Sequence, residues 1–192
     1  MKKGKSRSPP KLSKADFRLF WLVCHLPART RALMAMMIAL AMIFSYVETM
    51  IPINFGIPGV KLGLANLVIV AAIYLFGGKQ AFLISIVRIF LSGFMFGNLA
   101  SIMYSLAGGL LSLAVMLLLK KTDKLSILAV SVMGGICHNI GQLIVAMLVV
   151  ENLKLIFYVP VLLISGFLTG LLIGIVCRVI LPAVKRAYES AR

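Results

Sequence analysis

Apolar residues in this sequence are gathered into long blocks separated by short connections. Six blocks can be delimited: residues 32–50, 60–76, 80–96, 99–119, 125–150 and 155–181. A helix rises about 1.5 Å per residue, so about 20 apolar residues are enough to cross a bilayer. The second and third blocks are short for this purpose, which tilt or local thinning of the bilayer can accommodate. The pattern predicts an all-α integral membrane protein with six transmembrane helices, joined by turns at residues 77–78, 97–98 and 122–123.

The composition supports a membrane protein. Of 192 residues, 61% are hydrophobic and 13% are charged, a balance that no soluble domain needs. The length suits a single domain. Cys24, Cys137 and Cys177 lack the spacing of a zinc site or a disulfide framework and are expected to be free thiols. No metal or other cofactor is predicted.

Charged residues predict the orientation of the chain. Lys and Arg outnumber Asp and Glu by 20 to 5, and nine of the basic residues precede Ala32. Lys79, residues 120–124 and the carboxyl-terminal end are also basic, whereas the connections on the other side carry only Lys61 and Lys154. Because basic loops stay inside, both termini are predicted to be cytoplasmic. No aromatic-interleaved basic groove is present, so the basic tail is expected at anionic lipid and not at nucleic acid.

Three regions follow from this pattern. Residues 1–31 are predicted to be a basic cytoplasmic tail, in which residues 17–23 suit a short interfacial helix anchored by Trp21. Residues 32–182 are predicted to form the six-helix transmembrane domain, which would bind the substrate. Residues 183–192 are predicted to be a second basic cytoplasmic tail.

Polar residues inside the fifth block are the main anomaly of the sequence. His138, Asn139 and Gln142 lie near the middle of residues 125–150. His138 and Gln142 are four apart and share a helix face, with Asn139 about 100° round the same side. Polar side chains at membrane depth face a bundle interior or a cavity. They either bond neighbouring helices or, as we favour for the cluster, form part of a binding site.

Arg88 lies in the middle of the third block, with Ser85 and Ser92 as its polar helical neighbours. A guanidinium at that depth costs a few kcal/mol or more unless it is paired or hydrated. One interpretation is an ion pair with Glu48, near the outer end of the first block, that fixes helix register. The other is that Arg88 offers its fork of donors to a ligand carboxylate or phosphate.

The first outer connection, residues 51–61, is itself apolar and contains two prolines and two glycines. Such a segment is expected to fold over the mouth of the bundle as a lid, with a plain re-entrant turn as the alternative. Other residues around the outer ends of the helices are predicted to contribute to a pocket beneath it: Asn54, Lys61, Asn66, Asn98 and Tyr104.

Small residues recur at helix-packing spacing in three of the blocks. They are Ala35 and Ala39 in the first block, Ser105 with Gly109 and Gly108 with Ser112 in the fourth, and Gly166, Gly170 and Gly174 in the sixth. Such spacing lets helix backbones approach closely, either within the bundle or against a partner helix. Packing within the bundle is expected for most of them.

Signals of enzymatic activity are weak. The sequence has no aspartate-rich motif to hold magnesium and a diphosphate, and no phosphate-binding loop. His138 is the only base in the middle of a block, and no carboxylate lies near it in sequence. An enzyme is therefore not predicted, and active transport would need a partner that binds nucleotide.

Several motifs resemble the bacterial family described as heptaprenyl diphosphate synthase component I, also called the Gx transporter family. They are KLGLAN at residues 61–66, Arg88, YSLAGG at residues 104–109 and GICHNIGQ at residues 135–142. The HNIGQ run is the most specific part, and the resemblance covers roughly residues 32–181. That family is in turn similar to the substrate-binding S components of energy-coupling factor (ECF) transporters, which are six-helix membrane proteins capped by the loop after the first helix.

The resemblance implies a binding protein of the bacterial cytoplasmic membrane that topples to release its ligand inside. Ala35 and Ala39 match the motif by which S components dock onto a coupling membrane protein driven by two ABC-type ATPases. The ligand is expected to be a small, amphipathic and anionic molecule, vitamin-like or related to isoprenoids or quinones. The predicted ligand-binding residues are Arg88, His138, Asn139, Gln142, Asn66, Lys61, Asn98 and Glu48.

Two other functions compete with this interpretation. The family description favours a non-catalytic membrane subunit of a heptaprenyl diphosphate synthase in menaquinone biosynthesis, which would place a soluble catalytic partner at the membrane. A self-contained secondary carrier is expected to have two similar halves, and blocks one to three show no convincing likeness to blocks four to six.

Overall fold

The computed structural model describes residues 26–50 and 63–190, and this part of the chain contains six α-helices and one 3₁₀ helix. The predicted interfacial helix and the predicted lid, with Asn54 and Lys61, lie outside the described residues. In chain order the helices are α1 (Ala28–Met50), α2 (Asn66–Leu75), α3 (Gly78–Phe96), α4 (Leu99–Lys121), α5 (Ile127–Val150), the 3₁₀ helix (Leu153–Tyr158) and α6 (Val159–Ser190).

Five of these segments are long and apolar enough to cross a membrane, namely α1, α3, α4, α5 and the stretch from Leu153 to the end of α6. The prediction of a helical, multi-pass membrane protein is confirmed at this level. With ten residues, α2 is about 15 Å long, roughly half the thickness of a hydrocarbon core. Six crossings and the orientation of the termini therefore stay predictions.

α1 begins at Ala28, four residues before the predicted block, and two other helix boundaries differ more from the sequence pattern. Gly63 has a φ of 88°, which a helix does not accept, so α2 begins only at Asn66. At the other end of the chain, α6 continues past its predicted end, through Pro182, to Ser190. Residues 183–190 include good helix formers, and Lys185 and Glu189 face each other one turn apart at 3.9 Å.

α5 lies between α4 and α6 and packs extensively along both. Glycines bring the α5 and α6 backbones into contact: a methyl group on Gly170 would lie 2.7 Å from the Cα of Val132, and one on Gly174 would lie 2.9 Å from the Cα of Leu128. Real side chains do not fit at such distances. The glycine stripe of α6 therefore packs inside the bundle, as its spacing predicts.

Backbone contacts divide the chain into residues 1–35 and 36–192, and within the first of these units the described part is helical from Ala28. In the second unit, the carboxyl-terminal end of α2 is held by Lys120 of α4. The Lys120 ammonium donates a hydrogen bond to the Ile73 carbonyl oxygen at 2.6 Å and lies 4.7 Å from the centre of the Tyr74 ring. A cation at the negative end of a helix dipole stabilises that end.

Candidate functional site

Arg88 is buried in the middle of α3. The residue is 4% exposed, and its Nε and Nη2 nitrogens have no hydrogen-bond partner in the described part of the chain. These two nitrogens form the same edge of the guanidinium, so their N–H bonds point in one direction. That edge is the one that holds a carboxylate or a phosphate through two parallel hydrogen bonds.

Two buried serines on the same helix differ in whether their hydroxyl groups have a hydrogen-bond partner. Ser92 donates a hydrogen bond to the Ile89 carbonyl oxygen at 3.3 Å, which satisfies it within the helix. Ser85 is as deeply buried, and its hydroxyl has no partner among the described residues. Sequence reasoning counted Ser85 only as a polar neighbour of Arg88. The unsatisfied hydroxyl makes it a candidate ligand contact.

Two adjacent glycines on α4 separate the two polar groups of the site. A methyl group on Gly109 would lie 3.6 Å from the Ser85 hydroxyl oxygen and 3.9 Å from Arg88 Nη2. A methyl group on Gly108 would lie 2.6 Å from the His138 carbonyl oxygen and 3.1 Å from His138 Nδ1. The bare backbone of α4 thus has the Arg88 group of α3 on one side and the His138 group of α5 on the other.

His138 and Gln142 share one face of α5, as their spacing predicts. Both are buried, and the His138 Nε2 and Gln142 Nε2 atoms lie 3.0 Å apart. Asn66, the first residue of α2, joins this group: a methyl group on Gly63 would lie 3.0 Å from His138 Cδ2 and 3.3 Å from Asn66 Nδ2. The Asn66 amide nitrogen is buried and has no partner among the described residues.

The amino-terminal end of α2 therefore lies beside the middle of α5, in the interior of the bundle. Helix amino termini carry partial positive charge, and half-helices that begin inside a membrane direct that charge at anions. Here the Glu48 carboxylate, near the end of α1, provides the negative charge. The backbone N–H groups of Gly63 and Leu64 both donate to Glu48 Oε1, Leu64 at 3.1 Å. Sequence reasoning missed this contact, for which the glycine just ahead of α2 was the only signal.

The structure also bears on the ion pair considered for Arg88. Among the described residues no ion pair joins Glu48 to Arg88, although the carboxylate is near enough for its charge to act on the guanidinium. Glu48 instead holds the start of α2. The bidentate edge of Arg88 stays available.

The other predicted site residues lie in different surroundings. Asn139 is turned toward α6, where its amide nitrogen donates to the Leu162 carbonyl oxygen at 2.8 Å, while its Oδ1 has no partner among the described residues. Asn98 is exposed and caps α4 by accepting a hydrogen bond from the Ser101 N–H at 2.8 Å. Tyr104 is buried in an apolar cluster with Leu143 and Leu162.

The residues predicted to dock a partner are accessible. Ala35 and Ala39 are both exposed on α1.

Within the described residues, no group of three His, Cys, Asp or Glu side chains could hold a metal ion.

The fold and its buried polar groups define a multi-pass helical membrane protein whose interior contains unsatisfied hydrogen-bond donors. The sequence model of the heptaprenyl diphosphate synthase component I family matches residues 37–180, and the chain belongs to that family. The match covers α2 to α5 entirely and most of α1 and α6. No curated protein and no solved structure is significantly similar to the chain.

Proposed function

We propose that this protein is the substrate-binding membrane component of an ECF-type importer in the bacterial cytoplasmic membrane. It would capture a small amphipathic anion, and a coupling membrane protein with two ABC-type ATPases would drive the release of that anion inside. The observation that carries the proposal is that Arg88 Nε and Nη2, on one edge of the guanidinium, have no hydrogen-bond partner among the described residues. Burying an arginine without partners costs several kcal/mol, a cost that a ligand carboxylate or phosphate offsets when it binds.

The rest of the site supports an amphipathic ligand. The Ser85 hydroxyl lies beside the Arg88 edge, and Ile89 packs against the same glycine of α4. On the other side of α4, His138, Gln142 and the Asn66 amide supply directional hydrogen bonds. A few polar groups set in an apolar wall are typical of small-molecule sites, and here they lie on the two sides of the bare α4 backbone. Vitamin-like molecules and carboxylates or phosphates related to isoprenoids or quinones fit this chemistry.

Four further residues enter the proposal as predictions. Asn139 can offer its Oδ1 while its amide nitrogen bonds α6. Glu48 shapes the site by holding the start of α2. Lys61 and Asn98 are proposed to line the outer entrance.

Partner docking is proposed at Ala35 and Ala39. Both side chains are small and exposed on an apolar helix, so a partner helix can approach the α1 backbone. Among the five candidate membrane spans of the described chain, α1 is also the least buried inside the protein, at 17% of its most apolar window.

The first test is to purify the protein in mild detergent from its native host and to identify what accompanies it. Mass spectrometry should find a coupling membrane protein and two ABC-type ATPases with the wild-type chain. Ala35→Trp or Ala39→Trp should remove them, whereas Ala114→Trp, at an exposed position of α4, should retain them. Recovery of the same partners with all three variants would contradict docking at α1.

The same preparation tests the ligand site. Small molecules released by denaturation should include an anionic compound that is lost from Arg88→Gln and retained by Arg178→Gln, which changes an exposed arginine of α6. Loss of one bidentate, charge-assisted contact should lower affinity on the order of 100-fold. An identical set of released molecules from all three proteins would remove the role of Arg88.

The second candidate function is a non-catalytic membrane subunit of a heptaprenyl diphosphate synthase, which the family description favours. Its observation in the structure is the basic end of α6, which continues as a helix to Ser190 and could receive a soluble partner. Recovery of a soluble prenyl synthase subunit in place of ATPases, lost when residues 183–192 are deleted, would establish this function and overturn the transport proposal.

A further inference from the structure

An opening lies between α1, α2 and α6, apart from the Arg88 site. All of its lining side chains are hydrophobic, among them Leu40 of α1, Ala71 of α2 and Val176, Ile180 and Val184 of α6. Its volume is about 120 Å³. A lining without polar groups accepts an apolar guest.

The opening faces outward from the bundle. Leu40, Ile180 and Val184 are all exposed residues that line it. In a membrane the medium beside an exposed apolar side chain is hydrocarbon and not water. The groove is therefore accessible to a lipid chain from the bilayer.

Two lysines mark one end of the groove. Lys185 directly follows Val184 of the α6 wall, and Lys120 bonds the Ile73 carbonyl oxygen, between Ala71 and Leu75 of the α2 wall. Just beyond α2, the Phe76 ring packs edge-on against the Tyr188 ring of α6, with the ring centres 5.5 Å apart. The two ends of the walls thus lie close to each other and are both basic.

These two charges are only partly balanced by protein groups. The Lys120 ammonium bonds a carbonyl oxygen, and no carboxylate of the described residues forms an ion pair with it. Glu189 lies 3.9 Å from Lys185, but both side chains are about 60% exposed, and such pairs contribute little. An anion between the lysines would balance both charges.

We propose that this groove binds one anionic phospholipid, with an acyl chain along α2 and α6 and the phosphate between Lys120 and Lys185. An apolar slot that ends in basic side chains favours that molecule over a zwitterionic lipid with the same acyl chains. The proposal does not depend on the transport function or on Arg88.

The test uses the full chain in mild detergent with an equimolar mixture of phosphatidylglycerol and phosphatidylcholine that have identical acyl chains. Native mass spectrometry should show one retained phosphatidylglycerol, favoured at least about fivefold over phosphatidylcholine. Lys185→Gln and Lys120→Gln should each reduce that preference about fivefold. Lys154→Gln, which changes an exposed lysine near the 3₁₀ helix, should leave it unchanged.

A matched pair of variants separates the groove from general lipid contact. Val176→Phe fills the groove and should reduce retention of both lipids about threefold or more, since a chain no longer fits. Val161→Phe makes the same change at an exposed position of α6 outside the groove and should retain lipid normally. Equal retention of the two lipids by the wild type, or no effect of Val176→Phe, would overturn the proposal. The proposal would also be overturned if Val176→Phe lost a co-purifying membrane protein while its lipid retention was unchanged. That result would identify the groove as a protein interface.

Discussion

The α5–α6 interface and the surroundings of Arg88 differ in how far their buried polar groups are satisfied. Between α5 and α6, Ser131 donates to the Gly170 carbonyl oxygen at 2.8 Å and Asn139 to that of Leu162, also at 2.8 Å. Around Arg88, two guanidinium nitrogens and the Ser85 hydroxyl have no partner among the described residues. A polar side chain inside a membrane bundle is explained by structure when it completes a bond to a neighbouring helix. The donors left without one at Arg88 are the basis of the ligand proposal.

The largest effect on stability is expected from placing a larger side chain between the closely packed backbones of α5 and α6. A side chain on Gly135 would meet the backbone of Gly166 and Gly170, which cannot move aside as a flexible side chain can. Gly135→Leu should therefore lower the free energy of unfolding by about 3 kcal/mol or more and sharply reduce folded yield in detergent. Ala114→Leu, at an exposed position, is the control and should be neutral. A normal yield of Gly135→Leu would mean that the two helices are not held at this distance.

Arg88→Met should separate stability from function. Removing a buried charge that lacks two of its hydrogen-bond partners among the described residues is expected to stabilise the ligand-free protein by about 1 to 2 kcal/mol, while ligand affinity falls on the order of 100-fold. Thermal unfolding of ligand-free protein and the retention of bound small molecules measure the two effects. Destabilisation of the empty protein would show instead that Arg88 supports the fold.

Asn139→Ala should affect both properties moderately. It removes the bond to Leu162 and should cost about 1 kcal/mol of stability, as for other hydrogen bonds between membrane helices. It also removes the Oδ1 acceptor, so affinity should fall up to about tenfold, less than for Arg88. Unchanged affinity would assign Asn139 to packing alone. The contribution of α5 to the site would then come only from the face that carries His138 and Gln142.

The smallest effect is expected from Ser131→Ala. It deletes the hydroxyl that donates to Gly170 and should cost about 0.6 kcal/mol without changing ligand binding. Combining it with Asn139→Ala gives a double-mutant cycle in thermal unfolding, in which the two losses should add because the residues bond different carbonyl groups. Strong coupling between them would mean that α6 shifts as a unit.

Much of the fold could be predicted from the sequence because membrane helices are read from the length of apolar blocks. The glycine stripe of α6 was also readable, since small residues every four positions have few other uses in such a helix. The end of α6 could not be predicted in this way. Charged residues such as Lys185, Arg186 and Glu189 show where a helix leaves the membrane, but they do not show where the helix ends. The short α2 depends on Gly63, whose positive φ becomes evident only in three dimensions.

The candidate site could be predicted only in part. Arg88, His138 and Gln142 stood out because polar residues are costly in an apolar block. Their division between two sides of α4 depends on Gly108 and Gly109, which the sequence marks as small but not as facing different helices. Ser85 and Ser92 look alike in sequence, and only the hydrogen bond of Ser92 distinguishes them.

The contact between Glu48 and the start of α2 also has an entropic consequence. It ties together the two ends of the segment formed by residues 49–62. Closing a loop of about 14 residues costs roughly 2 kcal/mol in chain entropy beyond a constant term. Because the carboxylate holds both ends in the folded protein, that entropy is lost on folding, and a molecule that binds near these ends does not have to bring them together.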